Sequence, residues 1–314
     1  MILTFTVPEG PDRKAYHVLR RELKASAAFV RRLKAAGALY VNGEPSFTDR
    51  VLRPGDVLTA DADACEPESD LVPEKGPLSI RYEEEGFLAV NKPAGLLIHP
   101  TRSRYGGTLC NFAAGYRSAQ GQPPAVHAVN RLDRDTSGVV LLAKNSYMHA
   151  LLTGALRDSS ACKTYLAVIC GAMPAREGVV DAPIARTAPS DMKREVRPDG
   201  QPAVTRWRVL AESGGLSLVA LRPETGRTHQ LRVHCAHMGC PLLGDRLYGT
   251  PASLALGARY GVSAHLLHAA RLEFSHPLTG ERMDLQAPVE REDMASVLSL
   301  FPAKKTETIF SPAP

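Results

Sequence analysis

At 314 residues the chain is longer than one average domain, so one small and one larger domain, each able to bury a core, are expected. Its 44% hydrophobic and 23% charged content is ordinary for a globular protein and excludes disorder on a large scale. A formal net charge of +5 permits a polyanionic partner without requiring one, because the placement of charge matters more than its sum.

The six cysteines show no C-x-x-C pair and no regular spacing, so neither a zinc ribbon nor a disulfide framework is indicated, and free thiols in a reducing compartment fit best. The first ten residues lack a basic region followed by a long apolar core, and no later window approaches the length of a membrane span. A cytoplasmic protein with no membrane contact is expected.

Residues 1 to 64 read as a unit of their own. After a short strand, Val18, Leu19 and Leu23 fall at helical spacing between Tyr16 and Lys24. Ser26 can cap a second helix carrying Phe29, Val30 and Leu33 before Gly37 stops it. Ala38 to Gly43 then reads as a strand and tight turn, and Val51 to Leu58 as a turn into another strand. Between Arg13 and Lys34 eight basic residues, Arg31, Arg32 and Lys34 among them, stand against Glu22 alone. Such a face can bind phosphates without reading sequence, or it can be a solvated helix surface. The element order resembles the small α-L RNA-binding domain known from a ribosomal protein, which favours RNA.

Residues 65 to 77, rich in Asp, Glu and Pro, read as an exposed acidic linker. Beyond it come strands at Leu78–Tyr82 and Phe87–Asn91, then the turn Lys92-Pro93-Ala94-Gly95. The stretch from Ala128 to Lys144 joins a polar loop, Asn130 to Gly138, to the apolar run Val139–Ala143, which suits a buried strand. A loop of this composition can hold Asp133 between Arg131 and Arg134, bond it through Thr136 or Ser137, and turn at Gly138 into a rigid element. It serves equally as a mount for a reactive carboxylate or as a structural ion pair.

Tyr147–Leu156 is expected to be a helix and Lys163–Cys170 a strand containing Tyr165. Residues 171 to 202, with scattered Pro and Gly, read as long mobile loops or an insertion. Strands follow at Thr205–Leu210 and Leu216–Leu221, and a helix runs from Thr228 to a stop at Gly239. A hairpin spans Ala269–Phe274 and Met283–Ala287, a closing helix covers Glu290–Phe301, and residues 303 to 314 read as a flexible tail.

Five segments, in order, resemble the motifs of the RluA-type RNA pseudouridine synthases, enzymes that isomerise uridine within RNA. They are Asn91-Lys92-Pro93-Ala94-Gly95, Asn130-Arg131-Leu132-Asp133-Arg134-Asp135-Thr136-Ser137-Gly138, Lys163 to Val168 with Gly171, Leu221 to His234, and Gly239 to Gly249. The resemblance covers roughly residues 78 to 302 and departs from the family at Asn130, where many members carry His. It implies an α+β protein: a pseudouridine synthase fold on a mixed, mainly antiparallel sheet, behind the N-terminal α-L domain. It also implies that Asp133 is the catalytic carboxylate and Arg232 its cationic partner. Tyr165 would lie against the uracil ring, where its hydroxyl could help remove the carbon 5 proton, and Arg131 would fill the gap left by a flipped uridine. Large-subunit ribosomal RNA is the expected substrate and transfer RNA the second choice, with the enzyme a monomer.

The isomerisation needs no triphosphate or redox carrier, and neither G-x-x-x-x-G-K-[ST] nor G-x-G-x-x-G occurs, so no cofactor is expected. Lys92, Arg227, His229 and Gln230 are candidates either to touch RNA or to brace the pocket. His229, His234, Cys235, His237 and Cys240 have metal-ligand chemistry, but their helical spacing does not converge and no metal site is expected. Two rival readings remain. A non-catalytic RNA-binding or assembly factor is set against by the intact Asp133, Tyr165 and Arg232. A glycosidase or nucleosidase needs a second carboxylate facing the first, for which Asp135 is the neighbouring candidate.

Overall fold

A computed structural model describes residues 1–101, 104–188 and 190–302. The expected tail at 303–314 lies outside them. The chain divides into two compact units, the first made of Met1–Ala89, Ile98–Arg131 and Leu141–Arg157, the second of Val90–Leu97, Leu132–Val140 and the chain from Asp158 onward. These units cut across the sequence division at 64 and 78.

In the first unit, the N-terminal strand Ile2–Thr6 pairs antiparallel with Val57–Asp61, which pairs with Leu39–Val41, which in turn pairs with Glu44–Pro45. Two helices, Ala15–Arg21 and Ala27–Ala36, bury Val18, Leu19, Phe29 and Leu33 in one core with Leu39 and Leu58 of this sheet. The second helix begins where Ser26 Oγ accepts the Phe29 N–H and ends where Gly37 takes φ 61°, a conformation that costs a Cβ-bearing residue energy. Tyr147 of the helix Ser146–Ala155 joins the same core, which is why sequence-distant segments cluster with the N-terminus. Its ring lies 4.9 Å from that of Phe29, and its hydroxyl donates to the Leu23 carbonyl at 2.6 Å.

In the acidic stretch expected to be an exposed linker, residues 66–77 are exposed or half-buried, and a few bonds tie it and the preceding Asp63 to this unit. Asp63 accepts from the N-terminal ammonium at 2.6 Å, and Glu66 bonds His127 and accepts the Ser146 N–H at 2.8 Å. Farther on, the Glu74 N–H donates to the Asn111 carbonyl at 3.0 Å and Asn111 Nδ2 to the Val72 carbonyl at 2.9 Å. Asp63 and Glu66 thus meet an amine, a histidine and a helix N-terminus, where a carboxylate is favoured, while Glu68 and Asp70 stay exposed. Asn111 belongs to a helix, Leu109–Ala119, opened by a Thr108/Asn111 capping box that no apolar period had announced.

The second unit is built on a mixed, mainly antiparallel sheet. Its antiparallel neighbours run Glu177–Asp181, Val204–Ser213, Leu216–Pro223, Cys162–Cys170 and Leu267–Ser275, and Arg282–Gln286 pairs with the last. Ser137 and Gly138 meet His268 and Ala269 in parallel. Residues 171–202, expected to be mobile loops, contribute the strand Glu177–Asp181 and a hairpin of Ile184–Arg186 with Arg194–Val196. The helix Pro251–Arg259, with a Thr250/Ser253 capping box, was also unread, and the closing helix is shorter than expected at Glu292–Leu298. Among the described residues no helix is long and apolar enough to cross a membrane.

Candidate active site

The strand Ser137–Ala143 is buried along its whole length, and the loop before it carries Asp133. At the junction Gly138 takes φ 114°, and a Cβ there would sit 2.2 Å from the Ala269 carbonyl oxygen, so only glycine lets the two backbones meet. The Thr136 N–H donates to the Asp133 carbonyl at 3.1 Å. From below, Lys92, with no exposed surface, donates to the carbonyls of Pro93, Leu96 and Arg134 at 2.8, 2.9 and 2.8 Å. Three acceptors use all three ammonium hydrogens. Burial nevertheless pulls its pKa down to about 7, against the opposing charges of Asp135 and Asp133.

Beyond the Thr136 backbone bond to Asp133, the side chains of the loop find other partners than those foreseen. Arg134 pairs with Asp135 at 3.1 and 3.2 Å. Thr136 Oγ1 turns to His265 Nε2 at 2.9 Å and Ser137 Oγ to His268 Nδ1 at 2.8 Å, because both hydroxyls are buried and each needs a partner. His268 Nε2 donates to the Ala287 carbonyl, which leaves Nδ1 to accept from Ser137.

Asp133 is held from the other side by Arg232, whose Nη1 donates to Asp133 Oδ2 at 3.0 Å. The remaining face of the guanidinium is taken bidentately by Asp245, Nε to Oδ2 and Nη2 to Oδ1, both at 2.8 Å. Asp245 is wholly buried and also accepts the N–H groups of Leu247 and Tyr248 at 3.0 and 3.1 Å. Burial works against both charges, and the pair more than offsets it: the Arg232 pKa is raised and that of Asp245 lowered. The Tyr248 ring lies under Arg232, 5.0 Å from centroid to guanidinium carbon.

The helix bearing Arg232, Gln230–His237, starts at His229, whose φ of 58° is left-handed. His229 Nδ1 lies 2.8 Å from Tyr248 Oη, and Nε2 lies 3.8 Å from Asp133 Oδ2. Gln230 is a brace: its amide accepts from Arg227 N–H and Thr225 and donates to Val204 and Thr205. Arg227 donates to the Pro202 carbonyl at 2.9 Å. His234 is engaged by Thr205 and the Ala182 carbonyl, so the histidines and cysteines of this helix do not converge; no metal-holding group occurs among the described residues.

Tyr165 sits in the strand Cys162–Cys170, beside a register shift at Thr164/Tyr165, and packs against the core formed by Leu221, Leu231 and Leu267. Burial, and after it the charge of Asp133, raises its hydroxyl above the ordinary phenol range. Asp133, Arg232 and Tyr165 thus come together in one unit. Of the residues expected to meet RNA, Arg131, Arg31 and Lys34 are exposed in the first unit, whereas Arg32 is turned inward, donating to Ser146 Oγ at 2.7 Å and the Cys65 carbonyl at 3.3 Å. Asn130 Oδ1 accepts the Leu141 N–H at 2.8 Å, a backbone role open to an amide side chain. Asp245 and Tyr248 had no role in the sequence reading, although both lie in the segment Gly239 to Gly249 that resembles a family motif.

Residues 86–237 match the family model for RNA pseudouridylate synthase. The chain is 40% identical over 262 residues to the uncharacterized RNA pseudouridine synthase YjbO of Bacillus subtilis, covering 83% of this chain and 90% of that protein. It is 36% identical over 271 residues to ribosomal large subunit pseudouridine synthase D of Xanthomonas campestris, covering 84% and 81%. In fold it is similar to human RNA pseudouridylate synthase domain containing 1, with a TM-score of 0.59 at 24% identity over 79% of this chain and 99% of that one. The class is therefore that of RNA-modifying isomerases on the pseudouridine synthase fold. Within it, the chain belongs to the RluA-type RNA pseudouridine synthases, which convert uridine to pseudouridine in RNA.

Proposed function

We propose that the protein isomerises uridines of large-subunit ribosomal RNA, with Asp133 as its catalytic carboxylate. The observation that carries the assignment is the unequal sharing of Arg232: Asp245 is wholly buried behind it, whereas the Asp133 side chain keeps 27% of its surface open. One carboxylate anchors the guanidinium and the other faces outward, oriented and available to a nucleoside. A glycosidase pair is not supported, since Asp245 is locked to Arg232 and Asp135 to Arg134. Tyr165, kept a neutral phenol, serves as an apolar wall for the uracil ring and helps to exclude water.

Ribosomal RNA as the substrate is supported by the name of the relative from Xanthomonas campestris and by the exposed Arg31 and Lys34 of the first unit. In this reading residues 1–64 grip a structured RNA, residues 78–302 perform the chemistry, and Arg131 enters the stack vacated by the flipped base. The test uses ribosomal and transfer RNA transcripts with tritium at uracil carbon 5, since forming the carbon–carbon bond expels that hydrogen into water. The wild type is expected to release tritium from ribosomal RNA and Asp133→Asn from neither. Release from transfer RNA alone would overturn the substrate, and an active Asp133→Asn would overturn the carboxylate.

A further inference from the structure

One proton of the reaction finds no carrier in Arg232 or Tyr165. Once carbon 1′ has moved from nitrogen 1 to carbon 5, carbon 5 bears both the sugar and its original hydrogen. That hydrogen must leave as a proton while nitrogen 1 gains one. Tyr165 is a poor acceptor, because its hydroxyl stays protonated well beyond neutral pH, and Arg232 carries no lone pair to offer.

His229 has the geometry for the task. Among non-glycine residues only Lys24, Asn42 and His229 take a positive φ in the described structure, and a left-handed residue costs about 1–2 kcal/mol. Strain of this kind persists where the surroundings hold it, often at a working site. Here it aims an imidazole at the Asp133 carboxylate. Tyr248 Oη accepts the Arg194 N–H at 3.0 Å and lies 2.8 Å from His229 Nδ1, so its second lone pair can accept the imidazole proton when Nδ1 carries it. In that tautomer Nε2 presents its lone pair on the Asp133 side, at 3.8 Å, too far to be consumed as a hydrogen bond.

We propose that His229 is a further catalytic residue, the base that takes the carbon 5 proton through Nε2. The carbon 5–hydrogen bond breaks and its electron pair restores the carbon 5–carbon 6 double bond. The pair of the carbon 6–nitrogen 1 double bond moves onto nitrogen 1, which takes a proton from water. Nε2 holds the departing proton as imidazolium, stabilised by Asp133, and then releases it to solvent. Burial keeps the resting imidazole below the ordinary histidine range, with Asp133 opposing and Arg232 reinforcing, so the ring is neutral when the proton arrives.

The assignment rests on the Asp133 reading, and the experiment separates the two. Single-turnover rates are measured with the full-length protein on ribosomal RNA carrying hydrogen or deuterium at uracil carbon 5. His229→Ala is expected to lower the rate by about 10²–10⁴-fold. It should also show a larger deuterium effect than the wild type and recover rate when imidazole is added. His229→Asn, which tolerates the left-handed backbone, and Tyr248→Phe, which keeps the histidine but removes the acceptor of Nδ1–H, should both enlarge the isotope effect even if the alanine variant folds poorly. A slower His229→Ala with an unchanged isotope effect and no rescue would overturn the proposal, making His229 a brace and Asp133 the carrier of this proton. Were the wild type itself to release no carbon 5 hydrogen, or Asp133→Asn to remain active, the parent reading would fall instead.

Discussion

Arg232 satisfies two carboxylates at once, and the asymmetry between them has measurable consequences. Asp245→Asn removes the bidentate partner and leaves a largely buried guanidinium with Asp133 alone; urea unfolding should show a loss of about 3–5 kcal/mol. Turnover should fall with it, because Arg232 is then free to swing away from the position that orients Asp133. Lys92→Met removes the shared donor of three part-buried carbonyls, and about 3 kcal/mol of stability should be lost in the same assay. The carboxyls of Asp245 and Asp135 have lowered pKa values, burial opposing and their arginine partners prevailing. Each therefore binds fewer protons folded than unfolded. Their contribution is complete above about pH 4 and is lost as pH falls through the lowered folded values, so the thermal midpoint should drop steeply below pH 4, and less so in Asp245→Asn.

The strand Ser137–Ala143 and the helix Gln230–His237 position the chemistry, and each has one residue that decides its geometry. Gly138→Ala drives a methyl into the Ala269 backbone where the strands run parallel. The expected result is a loss of more than about 3 kcal/mol, or insoluble expression, although the side chain added is the smallest available. Ser26→Ala, by contrast, removes only the cap of the helix Ala27–Ala36, and a loss of about 1 kcal/mol is expected by thermal denaturation. That helix was legible because its cap, apolar period and stop are all local. The helices Leu109–Ala119 and Pro251–Arg259 were not read, although each opens on a capping box. Residues 171–202 were misread because a strand as short as Ile184–Arg186 becomes a strand only by pairing with Arg194–Val196.

For the molecule as an RNA-binding enzyme, the exposed and the inward-turned arginines should separate cleanly. Arg31→Glu with Lys34→Glu should weaken binding to ribosomal RNA and reduce the salt dependence of log K by about one unit for each phosphate no longer neutralised. Arg32→Ala should leave that slope unchanged and lower stability, since its guanidinium serves Ser146 and Cys65. Filter binding across a salt series distinguishes the two outcomes.

The residue types of the site, the motif order and the basic face between Arg13 and Lys34 could all be read along the chain, since composition and local period are properties of neighbours in sequence. The fold class was within reach because the family's motifs are contiguous, and the same motifs put Asp133 forward as a candidate. Partners separated by long stretches of chain were another matter. Arg232 meets Asp133 across 99 residues, Lys92 meets the Arg134 carbonyl across 42, and Glu66 meets Ser146 across 80. Which hydroxyl answers which histidine, which acid lies buried and which stays open, and which arginine faces solvent depend on burial. Burial is fixed only when the strands pair and the cores close, because a polar group chooses its partner from whatever remains once water has been excluded.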